Sequence, residues 1–247
     1  MAIDLVHHHD ILSSGSREAY QACVILATLV GGALIRQDAT TWQVTSGEKW
    51  RILGVAFVGA LIGCAIPAYF SGGLIEEIAW SVLIAPKTVM GGLLCAFLFV
   101  ALYKRSTHIV FDTSDGFARG AIATMAIGRI GCIFQHCCYG REAGWGMDFG
   151  DGVTRIPVQY IEAVGLFLIF ALINRFHSAN LFAGRRLFLV FALYGGMRFL
   201  LEFLREPVAA SYLGIGYYQW IALLVLSVGV WQIHKRRETL HRHPVMS

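Results

Sequence analysis

An all-α integral membrane protein with about seven transmembrane helices is the fold class this sequence predicts, on three observations. Hydrophobic residues make up 56% of the 247 and charged residues 15%, with a mean hydropathy of +0.60. A soluble domain carries roughly 25% charged residues. Apolar runs of spanning length recur along the chain, and a crossing helix needs roughly 20 such residues. The connecting segments alternate between rich and poor in Lys and Arg, the asymmetry that orients membrane helices.

The runs fall at 20–36, 52–70, 89–103, 117–134, 157–174, 187–203 and 215–233. The third is short unless it extends back through Ile84 to Pro86, and the fourth contains Arg119 and Arg129. With the C-terminus placed in the cytoplasm, the inner segments hold Arg36, Lys49, Arg51, Lys104, Arg105, Arg175, Arg185, Arg186, Lys235, Arg236, Arg237 and Arg242. The outer segments hold Arg17, Arg141 and Arg155, with Arg205 at a helix end, balanced by Glu76, Glu77, Asp148 and Asp151. The N-terminus is therefore expected outside, together with the Cys-Cys-Tyr-Gly turn at 137–140. The net charge of +4 belongs to topology and to a site, so no nucleic-acid partner is expected.

Five prolines, no polar low-complexity tract and no internal repeat make 1–247 one membrane domain. It has a polar N-terminal segment at 1–19, a lid-like outer loop at 140–157 and a basic cytoplasmic tail at 234–247. No cleavable signal peptide is expected, because no apolar core in the first 19 residues precedes a small-residue cleavage site. His7-His8-His9 reads as a chance polar tail, a short tag or a weak metal site.

Charge near the hydrocarbon core is costly and marks function, and two helices carry it. In the late one, Tyr194, Arg198, Glu202 and Arg205 fall at i, i+4, i+8 and i+11, within an arc of about 80°. That helix is expected to stop at Glu206-Pro207, since the residue before proline disfavours helix. The stripe reads as an Arg–Glu pair that locks two helices, or as an anion site with one arginine to spare. Guanidinium geometry suits phosphate.

The other is Gly128–Gly140, with Arg129, Cys132, His136, Cys137 and Cys138. Arg129 and Cys132 can share a helix face, and Tyr139-Gly140-Arg141 reads as an exit turn. The thiols read as packing residues, a disulfide permitted outside, a nucleophile or acid–base pair at Cys137 and His136, or zinc ligands. The usual C-x₂₋₄-C and H-x₃₋₅-H spacings are absent, so no metal and no cofactor is expected. Cys23, Cys64 and Cys95 stand alone in apolar runs as packing residues. Lys87, at the mouth of a span, either snorkels to water or contacts a head group. Glu162, early in its helix, needs a partner such as an arginine, and Asp115 fits a helix-dipole role.

Taken in order, these segments resemble the bacterial prolipoprotein diacylglyceryl transferase family. Its signature G-R-x-G-N-F-x-N-x-E-x-x-G aligns with Gly128–Gly140, its R-x-P-x-Q-x-x-E-A with Arg155–Ala163, and its Y-G-x-x-R-x-x-x-E-F-x-R-x-P with Tyr194–Pro207. Asp115 matches a family aspartate, and Gly216 to Gln219 echo a family glycine–glutamine pair; Arg17 and Tyr20 loosely match an early aromatic–arginine feature. The resemblance implies seven membrane helices and transfer of diacylglycerol from phosphatidylglycerol to a lipobox cysteine, leaving glycerol phosphate. It implies that Arg129, Arg198 and Arg205 hold the phosphate, that Glu202 orients an arginine, and that Tyr194 lines the cavity.

Three polar positions that the family associates with catalysis are replaced: asparagine is Cys132, glutamate is Cys137, and the histidine before Gly91-Gly92 is Met90. His136, Cys137, Lys87 and Arg141 are the candidate replacements. The expected function is a phospholipid-dependent transferase in the bacterial cytoplasmic membrane, its site facing outward. It would bind phosphatidylglycerol or a similar anionic lipid and pass the diacylglyceryl or phosphoglycerol part to a prolipoprotein, glycan or lipid acceptor. Candidate catalytic residues are His136, Cys137, Arg198 and Glu202; candidate substrate-binding residues are Arg129, Arg205, Tyr194, Lys87, Arg141, Gln159 and Glu162. The runner-up is a non-catalytic lipid-binding protein on the same fold. A thiol-redox protein built on Cys137-Cys138 lacks a C-x-x-C motif.

Overall fold

The computed structural model describes residues 14–70, 88–150, 152–205, 211–212 and 214–242. Among them are seven α-helices: α1 Ser14–Asp38, α2 Ser46–Phe70, α3 Val89–Ser106, α4 Ser114–Phe134, α5 Val158–Ser178, α6 Arg186–Glu202 and α7 Tyr217–Arg242. Each covers most of one of the apolar runs. Four stretches are long and apolar enough to cross a membrane: Gly15–Thr41, Val89–Ser106, Ser114–Phe134 and Val158–Ser178. The outer faces suit lipid, with Leu29, Leu168 and Leu200 exposed at 65%, 66% and 66%. Hydrocarbon side chains turned outward need an apolar surrounding.

Helix α3 gains its length forward, to Ser106, and begins at Val89; Ile84 to Pro86 lie outside the described residues. Helix α6 ends at Glu202, earlier than the Glu206-Pro207 stop expected. Phe203 N–H to Leu200 O, Leu204 N–H to Leu201 O and Arg205 N–H to Glu202 O tighten its last turn, a common way to satisfy terminal carbonyls.

Helix α4 is the hub, packed against α1, α5 and α6, while α2 pairs with α3 and α6 with α7. Met90, Ile122, Leu166, Ile173, Phe191 and Val225 meet in the shared core. Cys64 and Cys95 pack where α2 and α3 approach at Gly92 and Gly63. The loop at 140–157 forms a small antiparallel hairpin, β1 Glu142–Asp148 with β2 Thr154–Arg155. Strands β3 Ser211–Tyr212 and β4 Ile215–Gly216 pair before α7.

Polar groups lock the end of the bundle where α1, α3, α5 and α7 finish. Arg119 reaches Asp38 at 3.6 Å, and His177 approaches the same carboxylate at 3.9 Å. Asp115 sits in the first turn of α4, yet its carboxylate accepts from the N–H groups of Gly184 (2.6 Å) and Arg186 (2.8 Å). It therefore caps the neighbouring helix α6 rather than its own. Arg186 pins the preceding turn through Leu181 O (2.9 Å) and Asn180 Oδ1 (3.0 Å). Arg236 joins this end to Asp112, Ser114 and Gly184.

Close approach of α1 to α4 depends on Gly31. A Cβ there would fall 1.8 Å from Thr124 Oγ1 and 3.0 Å from Gly120 O, whereas at adjacent Gly32 it would meet nothing within 4 Å. Thr124 Oγ1 is itself held by Gly120 O (2.9 Å) and Ala27 O (3.2 Å), so it yields only by giving up those bonds. Gly31→Ala is expected to lose about 1–3 kcal/mol through overpacking, and Gly32→Ala to gain slightly from helix propensity. Thermal unfolding of the two variants in detergent checks this, and equal midpoints would refute the tight α1–α4 contact.

Candidate functional site

At the opposite end of the bundle one carboxylate gathers three helices. Glu162 lies one turn into α5, where the helix dipole favours a negative charge. It is wholly buried, as is Gln159 on the turn before it. Its Oε1 receives Arg129 Nη2 of α4 at 2.5 Å, while Arg198 Nε of α6 stands 3.9 Å away. Tyr194 O–H donates to the same oxygen at 3.5 Å. Arg198 also pairs through Nη2 with Glu202 Oε2 at 3.0 Å. Two guanidiniums thus meet two carboxylates, and Arg205 follows just after the end of α6, its N–H on Glu202 O.

Several buried atoms here have no hydrogen-bond partner: both polar atoms of Gln159, Glu162 Oε2, Arg198 Nη1 and Arg205 Nε. A buried polar group left unpaired costs about 1–3 kcal/mol, more for a charged one. Such a concentration of donors and acceptors fits a site that completes itself with a polar ligand. Tyr194, Arg198 and Glu202 lie within α6, and Arg205 follows in the tightened turn.

The mouth of this region is built by the exit from α4. His136 and Cys138 take left-handed backbone, with φ of 48° and 66°. His136 Nδ1 lies 3.1 Å from Phe149 O. A carbonyl can only accept, so Nδ1–H is the donor in this contact. Tyr139 stacks on Phe149 at 5.3 Å, and the Arg155 guanidinium lies 4.7 Å from the Tyr139 ring centre. Gly140 N–H bonds Ile156 O at 2.8 Å and Arg141 N–H bonds Leu204 O at 2.9 Å. These bonds tie the hairpin to the end of α6. A Cβ on Gly140 would fall 2.4 Å from Leu204 O, so only glycine permits that approach.

The same turn gathers the thiols. The sulfurs of Cys132, Cys137 and Cys138 all lie within 4.8 Å of one another, although their spacing did not suggest it. Arg129 Nη1 lies 3.7 Å from Cys132 Sγ. The Cys138 thiol is held well below the usual thiol range by hydrogen bonds with Cys132 and Cys137, with Arg129 and Arg205 lowering it further. Cys137 is pushed up by hydrogen bonds with its two neighbours and by burial. All six cysteines are free.

Of the residues expected to form a site, Arg129, Tyr194, Gln159, Glu162, Arg198 and Glu202 come together at this end. His136 and Cys137 stand at its mouth. The Arg141 side chain is exposed, because its backbone, not its guanidinium, faces α6. Lys87 lies outside the described residues. Met90, at the family's histidine position, is buried in the apolar core. Gln219 Oε1 accepts from Gly216 N–H at 2.8 Å, holding the start of α7. Sequence reasoning missed the Arg155–Tyr139–Phe149 stack, and an Arg and a Tyr flanking the same glycine-rich loop were its available signal. A cavity of about 740 Å³ lies at the other end, lined by Leu93, Phe97, Lys104, Phe117, Leu187 and Arg236 among others. It does not reach the arginine–glutamate network.

The fold and site define a helical membrane protein with a charged arginine–glutamate cluster between α4, α5 and α6. The chain belongs to the prolipoprotein diacylglyceryl transferase family, whose profile matches residues 16–234. It is similar to the phosphatidylglycerol–prolipoprotein diacylglyceryl transferase of Streptococcus agalactiae serotype Ia, at 26% identity over 90% of this chain and 92% of that one. It is 31% identical to the protein of the same name from Bordetella bronchiseptica, over 83% of this chain and 86% of that one. The Campylobacter lari protein of that name is 26% identical over 84% of this chain and 71% of its own.

Neutralising the hub exposes how much the bundle end depends on it. Glu162→Gln leaves two guanidiniums buried without their shared counter-charge, and is expected to cost about 3–5 kcal/mol. Thermal unfolding in detergent checks this, and a midpoint within a degree of the parent would show that Glu162 is not the hub.

Proposed function

We propose that this protein is a phosphatidylglycerol-dependent transferase that passes the lipid's diacylglyceryl group to an acceptor thiol and releases glycerol phosphate. The names of its relatives supply the substrate pair, phosphatidylglycerol and a prolipoprotein. The observation that carries the reading is the pairing of Arg129 and Arg198 with Glu162 and Glu202 in a largely buried cluster, with Gln159 and Arg198 Nη1 unpartnered and Arg205 following one turn on. A phosphodiester monoanion matches the spare donors. Arg129, Arg198 and Arg205 would hold the phosphate, with Glu162 and Glu202 orienting them and Tyr194 and Gln159 closing the wall. As the carbon–oxygen bond breaks, negative charge grows on the departing phosphate, and arginines fixed in a water-poor site stabilise it.

The distribution of basic residues supports an orientation with the N-terminus outside and the tail in the cytoplasm. The site would then open to the outer side of a bacterial cytoplasmic membrane beneath the β1–β2 lid. A second reading, a lipid-binding protein without turnover, is favoured by one observation. By the family resemblance, Met90, Cys132 and Cys137 stand where polar residues are expected.

The test is turnover of labelled phosphatidylglycerol by purified protein in detergent, with and without a lipobox peptide. Peptide-dependent glycerol phosphate release, reduced about 100- to 1,000-fold by Arg198→Ala, supports the transferase. Lipid binding without release overturns it in favour of the binding protein. Substitutions of His136 and Cys137 that leave turnover unchanged would show that the altered positions are not catalytic.

A further inference from the structure

We propose that Cys132, Cys137 and Cys138 form a zinc site of three thiolates with a fourth position open to an outside thiol. Sulfurs bound tetrahedrally at a Zn–S distance of about 2.3 Å are spaced about 3.8 Å apart. The three sulfurs already lie within 4.8 Å of one another without any ion between them, so small side-chain rotations close the gap. Adjacent cysteines on regular backbone point apart and rarely share an ion. The left-handed φ of 48° at His136 and 66° at Cys138 curls the chain so that Cys137 and Cys138 both face Cys132.

Charge also fits. Three thiolates and one Zn²⁺ carry a net −1, and Arg129, which Glu162 holds through Nη2, presents Nη1 3.7 Å from Cys132 Sγ. A three-residue protein ligand set with one position left for solvent or substrate is the pattern of zinc sites that act on ligands. Thiol is the class that position would take, since borderline-soft zinc accepts sulfur readily. Binding would form one zinc–sulfur bond and release the thiol's proton to solvent, because a coordinating thiol is deprotonated outright.

Metal binding stands apart from the transferase reading. Only the identity of the incoming thiol, a lipoprotein acceptor, rests on it. In that case zinc would activate the acceptor where Cys132 and Cys137 stand in place of the family's asparagine and glutamate.

Elemental analysis of the purified full chain, reloaded with zinc under reducing conditions and dialysed, is expected to give about one zinc per chain. Cobalt in its place should show intense thiolate-to-cobalt charge-transfer absorption, and a small thiol added without lipid should shift that band. Cys137→Ser and Cys138→Ser should weaken zinc binding by more than about tenfold. If those variants fail to fold, the parent protein alone decides: its melting temperature should rise with zinc and fall again with a chelator. Metal-free protein with three titratable thiols and no zinc-dependent shift overturns the proposal, as does a disulfide among the three. Loss of lipid turnover with zinc binding intact would instead count against the transferase.

Discussion

The pairing of Glu162 with Arg129 and Arg198 is the constraint on which this end of the bundle depends. The carboxylate is fully buried, and a charge in that position is tolerable only when paired. Because Arg129 comes from α4 and Arg198 from α6, the pair sets where three helices stand relative to one another. Gln159, one turn before Glu162, is carried into the same buried space by the register of α5. The site is thus both a clamp and a receptacle. The charges that hold the helices together are the ones an anionic head group would meet.

The two bundle ends solve different problems with the same residue types. At the end where α1 and α5 finish, Asp38, Arg119, Asp115, Arg186 and His177 answer one another and the turn backbone. That network caps helices and pins a turn, which is structure. At the Glu162 end Arg129 and Arg198 share Glu162 while Arg198 also meets Glu202, and Gln159 keeps both polar atoms unpartnered beside further unmet atoms of Glu162 and Arg198, against Asp38 Oδ2, Arg119 Nε and Arg185 Nε at the other end.

The mouth of the site follows from a few backbone decisions after α4. Left-handed residues at His136 and Cys138, and a glycine at 140 where no Cβ fits, turn the chain sharply back against the end of α6. The same curl that seats the hairpin over the charged cluster draws three sulfurs together. Thiols at altered family positions are therefore placed beside the arginines rather than scattered in the core, whereas Met90 is simply absorbed into packing.

The apolar runs, the basic loops and the arginine stripe of α6 were legible in the sequence alone. Helical membrane segments satisfy their own backbone and announce themselves by composition and period. The partner Glu162 was named as needing an arginine, and the i, i+4, i+8 spacing placed Tyr194, Arg198 and Glu202 on one face. Which arginine answers Glu162, that Asp115 caps the next helix, and that Arg141 turns outward were decided only by the tertiary structure. Each joins residues tens of positions apart or depends on a side chain's direction at a turn. The thiol cluster is the sharpest case: spacing argued against it, and two left-handed φ angles made it. Local pattern carries period and charge, but the meeting of distant side chains is fixed by helix packing and by turns whose geometry no spacing rule encodes.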